Sequence, residues 1–290
     1  MIKKLQEEVK KLLAEKKVNM VIGYARAGDA INAIPYFIAN PEECGALIWD
    51  KTCIYNLTNY LIDMRNKKVG IIVKGCDVRS VVCLIQENQI KKENVIVIGL
   101  QCAGVFDKKG AELGAVGRER AAKCKSCNVH TPPLFDILIE DKEMNQKVLQ
   151  QEDSYKEIRE IENKSPEERF DYWKKELSKC IKCYACRQVC PLCYCPVCVA
   201  DQTMPQWFSR SLSLEGNFAW NTVRAFHLAG RCIDCGECER VCPMGIPLRK
   251  INKKLEKEVK ELFGHESGVD AEKKPLFSTF SKDDPEEFIK

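Results

Sequence analysis

The stretch CIKCYACRQVCP at residues 180–191 decides how this chain is read, and it returns as CIDCGECERVCP at residues 232–243. Cys180, Cys183, Cys186 and Cys190, then Cys232, Cys235, Cys238 and Cys242, each follow the spacing C-x2-C-x2-C-x3-C-P. Three thiolates two residues apart wrap one corner of an iron-sulfur cubane, while the fourth points away toward a second cluster. Ligation in two-cluster proteins is therefore crossed. The spacing assigns Cys180, Cys183, Cys186 and Cys242 to one 4Fe-4S cluster, and Cys232, Cys235, Cys238 and Cys190 to the other. Tetrahedral zinc, the competing metal, usually takes one C-x2-C pair from each of two segments, whereas here each segment supplies four sulfurs and a proline.

Outward from these motifs the second half reads as helical. Ser165 through Glu168 carries a capping box with Pro166 at the first helical position, predicting a helix that delivers the chain to Cys180. Further helices are predicted over 217–228, in an insert between the motifs that also holds Trp207 and Trp220, and over 247–263, stopped by Gly264. Cys193, Cys195 and Cys198 follow the first motif at once, in PLCYCPVC, and match no standard ligand pattern. They are either part of a further metal site or packed thiols.

The first half has a different rhythm. Leu5, Val9, Leu12 and Leu13 mark an amphipathic helix, and apolar runs at 18–23, 45–49, 69–73 and 95–100 read as strands. Helical segments at 26–37, 55–64 and 78–88 alternate with them, predicting an α/β domain with a mostly parallel sheet. Cys76 and Cys102 each close a strand, and side chains at neighbouring carboxyl ends of parallel strands converge. With Cys124 and Cys127, a C-x2-C pair in the following loop, they make four thiolates for a third cluster; zinc or unligated core thiols are the alternatives. Gly75, Gly99 and Gly104 would let backbone approach sulfide. Cys44, Cys53 and Cys83 read as core thiols.

The turn from Gly23 to Gly28, between a predicted strand and helix, would either present backbone amides to the phosphate of a nucleotide or flavin or be an ordinary turn, and it lacks the full G-x-G-x-x-G pattern. Lys74 and Arg79, flanking Cys76, would tune a cluster or touch a flavin. His130, His227 and His265 show no spacing for metal or acid-base work, and hydrolytic catalysis has no support.

Composition sets the bounds. The 290 residues are 45% hydrophobic and 30% charged, the content of a folded protein long enough to bury a core without disulfides. Its 18 cysteines therefore call for a chemical explanation, which a reducing cytoplasm, where thiols stay free for metal, supplies. A balance of 46 basic against 42 acidic residues, net +4, disfavours nucleic acid as partner. The amino terminus lacks a secretory signal and no run is long enough to insert into a membrane, so a cytoplasmic location is expected. Together the patterns predict an α/β domain over 1–140, a polar linker over 141–164, an all-α ferredoxin domain over 165–264 and an extended arm over 265–290.

Two resemblances extend this reading. Residues 175–262, on CIKCYACRQVCP and CIDCGECERVCPMGIPL, resemble the helical two-cluster ferredoxin domains of heterodisulfide reductase small subunits. Residues 69–136, through Cys76, Cys102, Cys124 and Cys127, resemble the iron-sulfur beta subunits of deazaflavin-reducing hydrogenases and related formate dehydrogenases, in which four such cysteines bind one 4Fe-4S cluster beside FAD. The family's glycine-rich stretch after the C-x2-C is replaced here by NVHTPPLFDILIEDKE. These resemblances imply an electron-relay subunit of an anaerobe, working with a formate dehydrogenase or hydrogenase and a heterodisulfide-reductase-like flavoprotein. The alternative is an FAD enzyme exchanging hydride with a nicotinamide or deazaflavin.

Overall fold

The apolar runs of the first half form a five-stranded sheet in the computed structural model, which describes residues 1–29, 31–107, 119–141 and 152–278. Strands β1 (Met20–Arg26), β2 (Ala33–Ile38), β3 (Val69–Lys74), β4 (Val95–Leu100) and β5 (Ile137–Ile139) lie in the order β2-β1-β3-β4-β5. The β1–β3, β3–β4 and β4–β5 pairs are parallel and β1–β2 is antiparallel, so the sheet is mixed. All six residues of β3 are buried, as expected for a central strand covered on both faces. Helix α1 (Ile2–Ala14) lays Leu5, Val9, Leu12 and Leu13 onto Val21, Ile38, Ile72 and Ile98. Helix α2 (Gly75–Gln86) starts directly at the end of β3, and the four-residue α3 (Ala122–Lys125) carries Cys124.

Three predicted elements are corrected. The helix expected over 26–37 is instead the return strand of a hairpin, which pairs Val21 with Ile38 through Arg26 with Ala33. Pro35 would break a helix there, and Tyr36, Phe37 and Ile38 favour a pleated surface. Asp29 turns the chain by accepting from the Ile31 and Asn32 amides, both at 2.9 Å. The strand expected over 45–49 is instead the end of a 3-10 helix at Pro41–Ala46 followed by irregular backbone; Leu47 is buried beneath α1 rather than in a ladder. The segment at Leu57–Met64 is a 3-10 helix, capped by the Asn56 side chain.

By density of contacts the chain divides into Met1–Glu152 with Gly268–Lys273, and Asp153–Ser267 with Lys274–Lys290. The second unit carries α4 (Lys156–Glu162), α5 (Pro166–Leu177), α6 (Ala185–Gln188), α7 (Leu214–His227), α8 (Glu237–Arg240) and α9 (Leu248–Phe263), with no strand among its described residues. The capping box forms as the sequence dictates, Ser165 Oγ accepting from the Glu168 amide and Glu168 from the Ser165 amide. Gly264 ends α9 at φ +58°. Within the stretch read as a linker, 142–151 lie outside the described residues, while α4 is tied to α9 by ion pairs from Glu162 to Lys254 and Lys257.

The arm is packed where it is described. His265 is buried with Nε2 3.2 Å from the Gly230 carbonyl, and a side chain on Gly230 would strike Leu276. Residues 268–273 belong to the first unit, where the Asp270 carbonyl accepts from Gln86 Nε2 at 2.8 Å. Phe280 and Phe288 lie outside the described residues.

Candidate metal centres

In the first unit Cys76 opens α2 at the end of β3, and Cys102 lies two residues past the end of β4. Cys124 sits on α3 with Cys127 just beyond it. All four line one cavity, together with Lys74, Arg120, Lys123 and His130. Parallel strands β3 and β4 bring the first two thiols side by side, and an amide is aimed at each of two sulfurs: Gly104 N–H to Cys102 at 3.3 Å and Val105 N–H to Cys124 at 3.4 Å. Such bonds to sulfur are one of the ways a protein sets a cluster's potential. His130 Nδ1 donates to the Cys102 carbonyl at 3.0 Å and so braces the loop.

Lys74 is fully buried beside this cavity. Its ammonium pairs with Asp77 at 2.6 Å and donates to Tyr24 Oη at 2.7 Å and the Tyr55 carbonyl at 2.8 Å. Burial pushes the Cys76 thiol well up and the Cys102 thiol up to about 11, so without metal both are neutral. The glycines act differently from expectation. A Cβ on Gly75 would stand 2.2 Å from the Val129 carbonyl oxygen and one on Gly99 2.9 Å from Pro132, so both admit the 129–132 segment against the strand ends. Gly104, at φ +106°, turns the chain between Cys102 and Cys124.

In the second unit the two motifs fold as copies of each other. Lys182 and Asp234, just before the second cysteine of each motif, have positive φ, and so do Tyr184 and Gly236 just after it. Short helices α6 and α8 follow at matching places. A left-handed conformation costs a non-glycine residue of order 1–3 kcal/mol and persists only where the surroundings demand it. Alternating backbone handedness turns successive amides inward to form a concavity suited to anions, iron-sulfur groups among them. Buried ionic contacts hold one copy: Arg249 grips both oxygens of Asp234 at 2.6 and 2.7 Å, with Lys253 3.1 Å away. In the other, Lys182 Nζ donates to the Ser209 carbonyl at 2.7 Å.

Cys190, from the first motif, lines one cavity with Cys232, Cys235 and Cys238 from the second. Cys180, Cys186 and Cys242 share an apolar cluster with Leu177, Ile246, Leu248 and Cys238, while Cys183 is exposed. Arg224, on α7, tests whether these sulfurs suit an anionic group. Its side chain is 5% exposed, Nη2 donates to the Cys186 carbonyl at 3.0 Å, and Nε is buried without a hydrogen-bond partner. The thiols whose ionisation it would feel most are those of Cys238, Cys190, Cys193 and Cys186. A buried guanidinium among neutral thiols would be strongly unfavourable, whereas thiolates bound to a cluster supply the missing negative charge. The donor set fits. Asn252 Nδ2 adds a contact to Cys238 Sγ at 3.7 Å.

The phosphate-binding turn is corrected. Gly23 lies inside β1, where a Cβ would stand 2.6 Å from Leu47 and 2.7 Å from Ile72, so it serves core packing. Gly28 lies in the hairpin turn, and no helix begins there to offer amides to a phosphate. Arg79 is buried on α2, and its backbone carbonyl lies close against Gly268. Cys44, Cys53 and Cys83 are buried, and burial raises Cys53 to about 12. Sequence reasoning missed Arg224 and Asn252: nothing in their spacing relative to the cysteines marks them, because they arrive from helices outside the motifs.

Residues 179–247 match the family model of the 4Fe-4S dicluster domain. Over its length the chain is similar to the "F420-dependent formate dehydrogenase subunit beta" of Methanocaldococcus jannaschii, 27% identical over 93% of this chain and 92% of that protein. It is likewise similar to the "F420-dependent formate dehydrogenase 1 subunit beta" of Methanococcus maripaludis, 26% identical over 92% and 90%. The chain is a metal-binding, iron-sulfur protein of electron transfer. Among the described residues no helix is long and apolar enough to cross a membrane.

Proposed function

We propose that this chain is an electron-relay subunit of a larger redox complex, with one 4Fe-4S cluster in its first unit and a crossed pair in a helical ferredoxin-like second unit. The observation that carries the reading is the cavity in which Cys190 of one motif meets Cys232, Cys235 and Cys238 of the other. Cys180, Cys183, Cys186 and Cys242 are the second set, and Cys76, Cys102, Cys124 and Cys127 the third. Bound there, a cubane takes up and releases one electron at a time.

The chain's own residues do the rest. Lys74 and Arg224 place buried positive charge beside the sulfurs, and Gly104, Val105 and Asn252 aim N–H groups at them. The full-length similarity to formate dehydrogenase beta subunits supports redox subunits as partners; a formate dehydrogenase or hydrogenase on one side and a heterodisulfide-reductase-like flavoprotein on the other are the partners that the motif resemblances imply. A second reading, FAD in the first unit exchanging hydride with a deazaflavin, draws on the relatives' description as F420-dependent.

Protein purified without oxygen separates these readings. The relay predicts equal iron and acid-labile sulfide, no flavin, and loss of about four irons on Cys76→Ser. Cys235→Ser should lose or convert one cluster of the second unit. One flavin per chain with deazaflavin reductase activity would establish the second reading, and zinc in place of iron would end both.

A further inference from the structure

Six cysteines belong to none of these sets; Cys44, Cys53 and Cys83 are buried in the first unit, and the fold brings the other three together. Cys193, Cys195 and Cys198 line a cavity of about 260 Å³ in the second unit, separate from the cavity of Cys190, Cys232, Cys235 and Cys238. His227, on the last turn of α7, lines it too, one helical step from Arg224 on the same face. None of the three is in a disulfide, the Cys193 thiol is hydrogen-bonded to that of Cys190, and their C-x-C-x2-C spacing repeats neither motif.

Arg187 on α6 fixes the loop that carries them. Its Nη2 donates to the carbonyls of Cys195 at 3.0 Å and Pro196 at 3.3 Å, and its Nη1 pairs with Asp201 at the loop's end. Arg231 lies over the Tyr194 ring, 5.4 Å from its centre. One planar cation bridging several loop acceptors holds the thiols round the cavity against the entropy of a nine-residue excursion. Arg187, Arg224 and Arg231 all line the cavity, the first of them already paired with Asp201.

Size and donor placement bear on the occupant. Among the described residues no three His, Cys, Asp or Glu donors close round the position of a single ion, which is what tetrahedral zinc requires. The space equals several water volumes of about 30 Å³ each, room for a polynuclear group. Thiolates and sulfide together make such a group anionic, the charge that Arg224 and Arg231 favour.

We propose that Cys193, Cys195 and Cys198, with His227 as the fourth donor, hold a further iron-sulfur cluster. This goes beyond the three-cluster relay. The cavity shares Leu192, Arg224 and Leu228 with that of Cys190, Cys232, Cys235 and Cys238, and its Cys195 and His227 are exposed. The site is thus the solvent-facing end of the second unit's chain of sulfur centres, where a redox partner exchanges electrons.

The test compares the full chain with Cys195→Ser/Cys198→Ser, both reconstituted with iron and sulfide without oxygen. The double variant should carry about four irons fewer and lose one electron-spin signal while the others persist. His227→Ala should alter that same signal and His227→Cys restore a cluster of ordinary all-thiolate type. In the loaded wild-type protein Cys195 and Cys198 should resist N-ethylmaleimide, and react once iron is chelated. Equal iron in the two proteins, ready labelling of the loaded protein, or one zinc lost in the variant would overturn the proposal. If Cys235→Ser still costs a cluster in that case, the relay stands without it.

Discussion

Replacing Arg224 by Met tests whether the buried guanidinium acts electrically on the sulfur centres. Methionine keeps much of the apolar stem of the side chain and removes the charge and the bond to the Cys186 carbonyl. At a separation of roughly 6 to 8 Å and an effective dielectric constant of about 20, one positive charge favours an added electron by about 2 to 3 kcal/mol. At about 2.3 kcal/mol per charge per 100 mV, this is a shift of roughly 100 mV toward negative potential on loss of the charge. Because Arg224 touches the Cys186 backbone and also lines the cavity of Cys190 and Cys238, both second-unit clusters should move together while the first-unit cluster stays put. Arg224→Lys, which keeps the charge but loses the planar fork, should recover most of the potential. The assay is a potentiometric titration followed by electron-spin resonance, with iron content measured on each sample. Unchanged potentials in a variant with full iron would refute the electrostatic role.

Three further outcomes follow from the geometry. Gly75→Ala drives a methyl group into the Val129 carbonyl, so the 129–132 segment must shift, and about four irons should be lost while the dicluster signals survive; full iron at unchanged Tm would contradict the packing. Asp234→Asn breaks a buried contact with Arg249 and Lys253 and should cost about 3–5 kcal/mol, read as anaerobic denaturation of the loaded protein by urea. Burial raises the metal-free thiols of Cys102, Cys186 and Cys238 to about 11, above their ordinary value, so they stay protonated between pH 7 and 9 and must shed protons on loading. Metal affinity should therefore climb with pH across that range and loading should acidify a weakly buffered solution; pH-independent affinity would count against the burial.

The sulfur framework was legible in the sequence because ligand spacing is local: Cys180 to Cys190 and Cys232 to Cys242 announce their chemistry without a fold. Strands β3 and β4 were legible too, since central parallel strands read as unbroken apolar runs. The edge of the sheet was not. The glycine and charge pattern of 23–29 suits either a strand-to-helix turn or a hairpin, and only Pro35 and the aromatics beyond it favour the latter. Leu47 shows the same limit, because an apolar run records burial and not the partner that buries it. Arg224 and Asn252 were invisible for a deeper reason: their role depends on helices packing beside motifs that lie far away in sequence.

The return of residues 268–273 to the first unit, after the chain has passed through Asp153–Ser267 of the second, has a practical meaning for anyone dissecting this protein. A truncation after residue 152 would not liberate an intact amino-terminal fragment, for it would strip from α2 the strap that meets Gln86 and fits Gly268 against Arg79. Swapping the sulfur-rich half for that of a relative is better done as an internal graft, with joints on both sides and the strap retained.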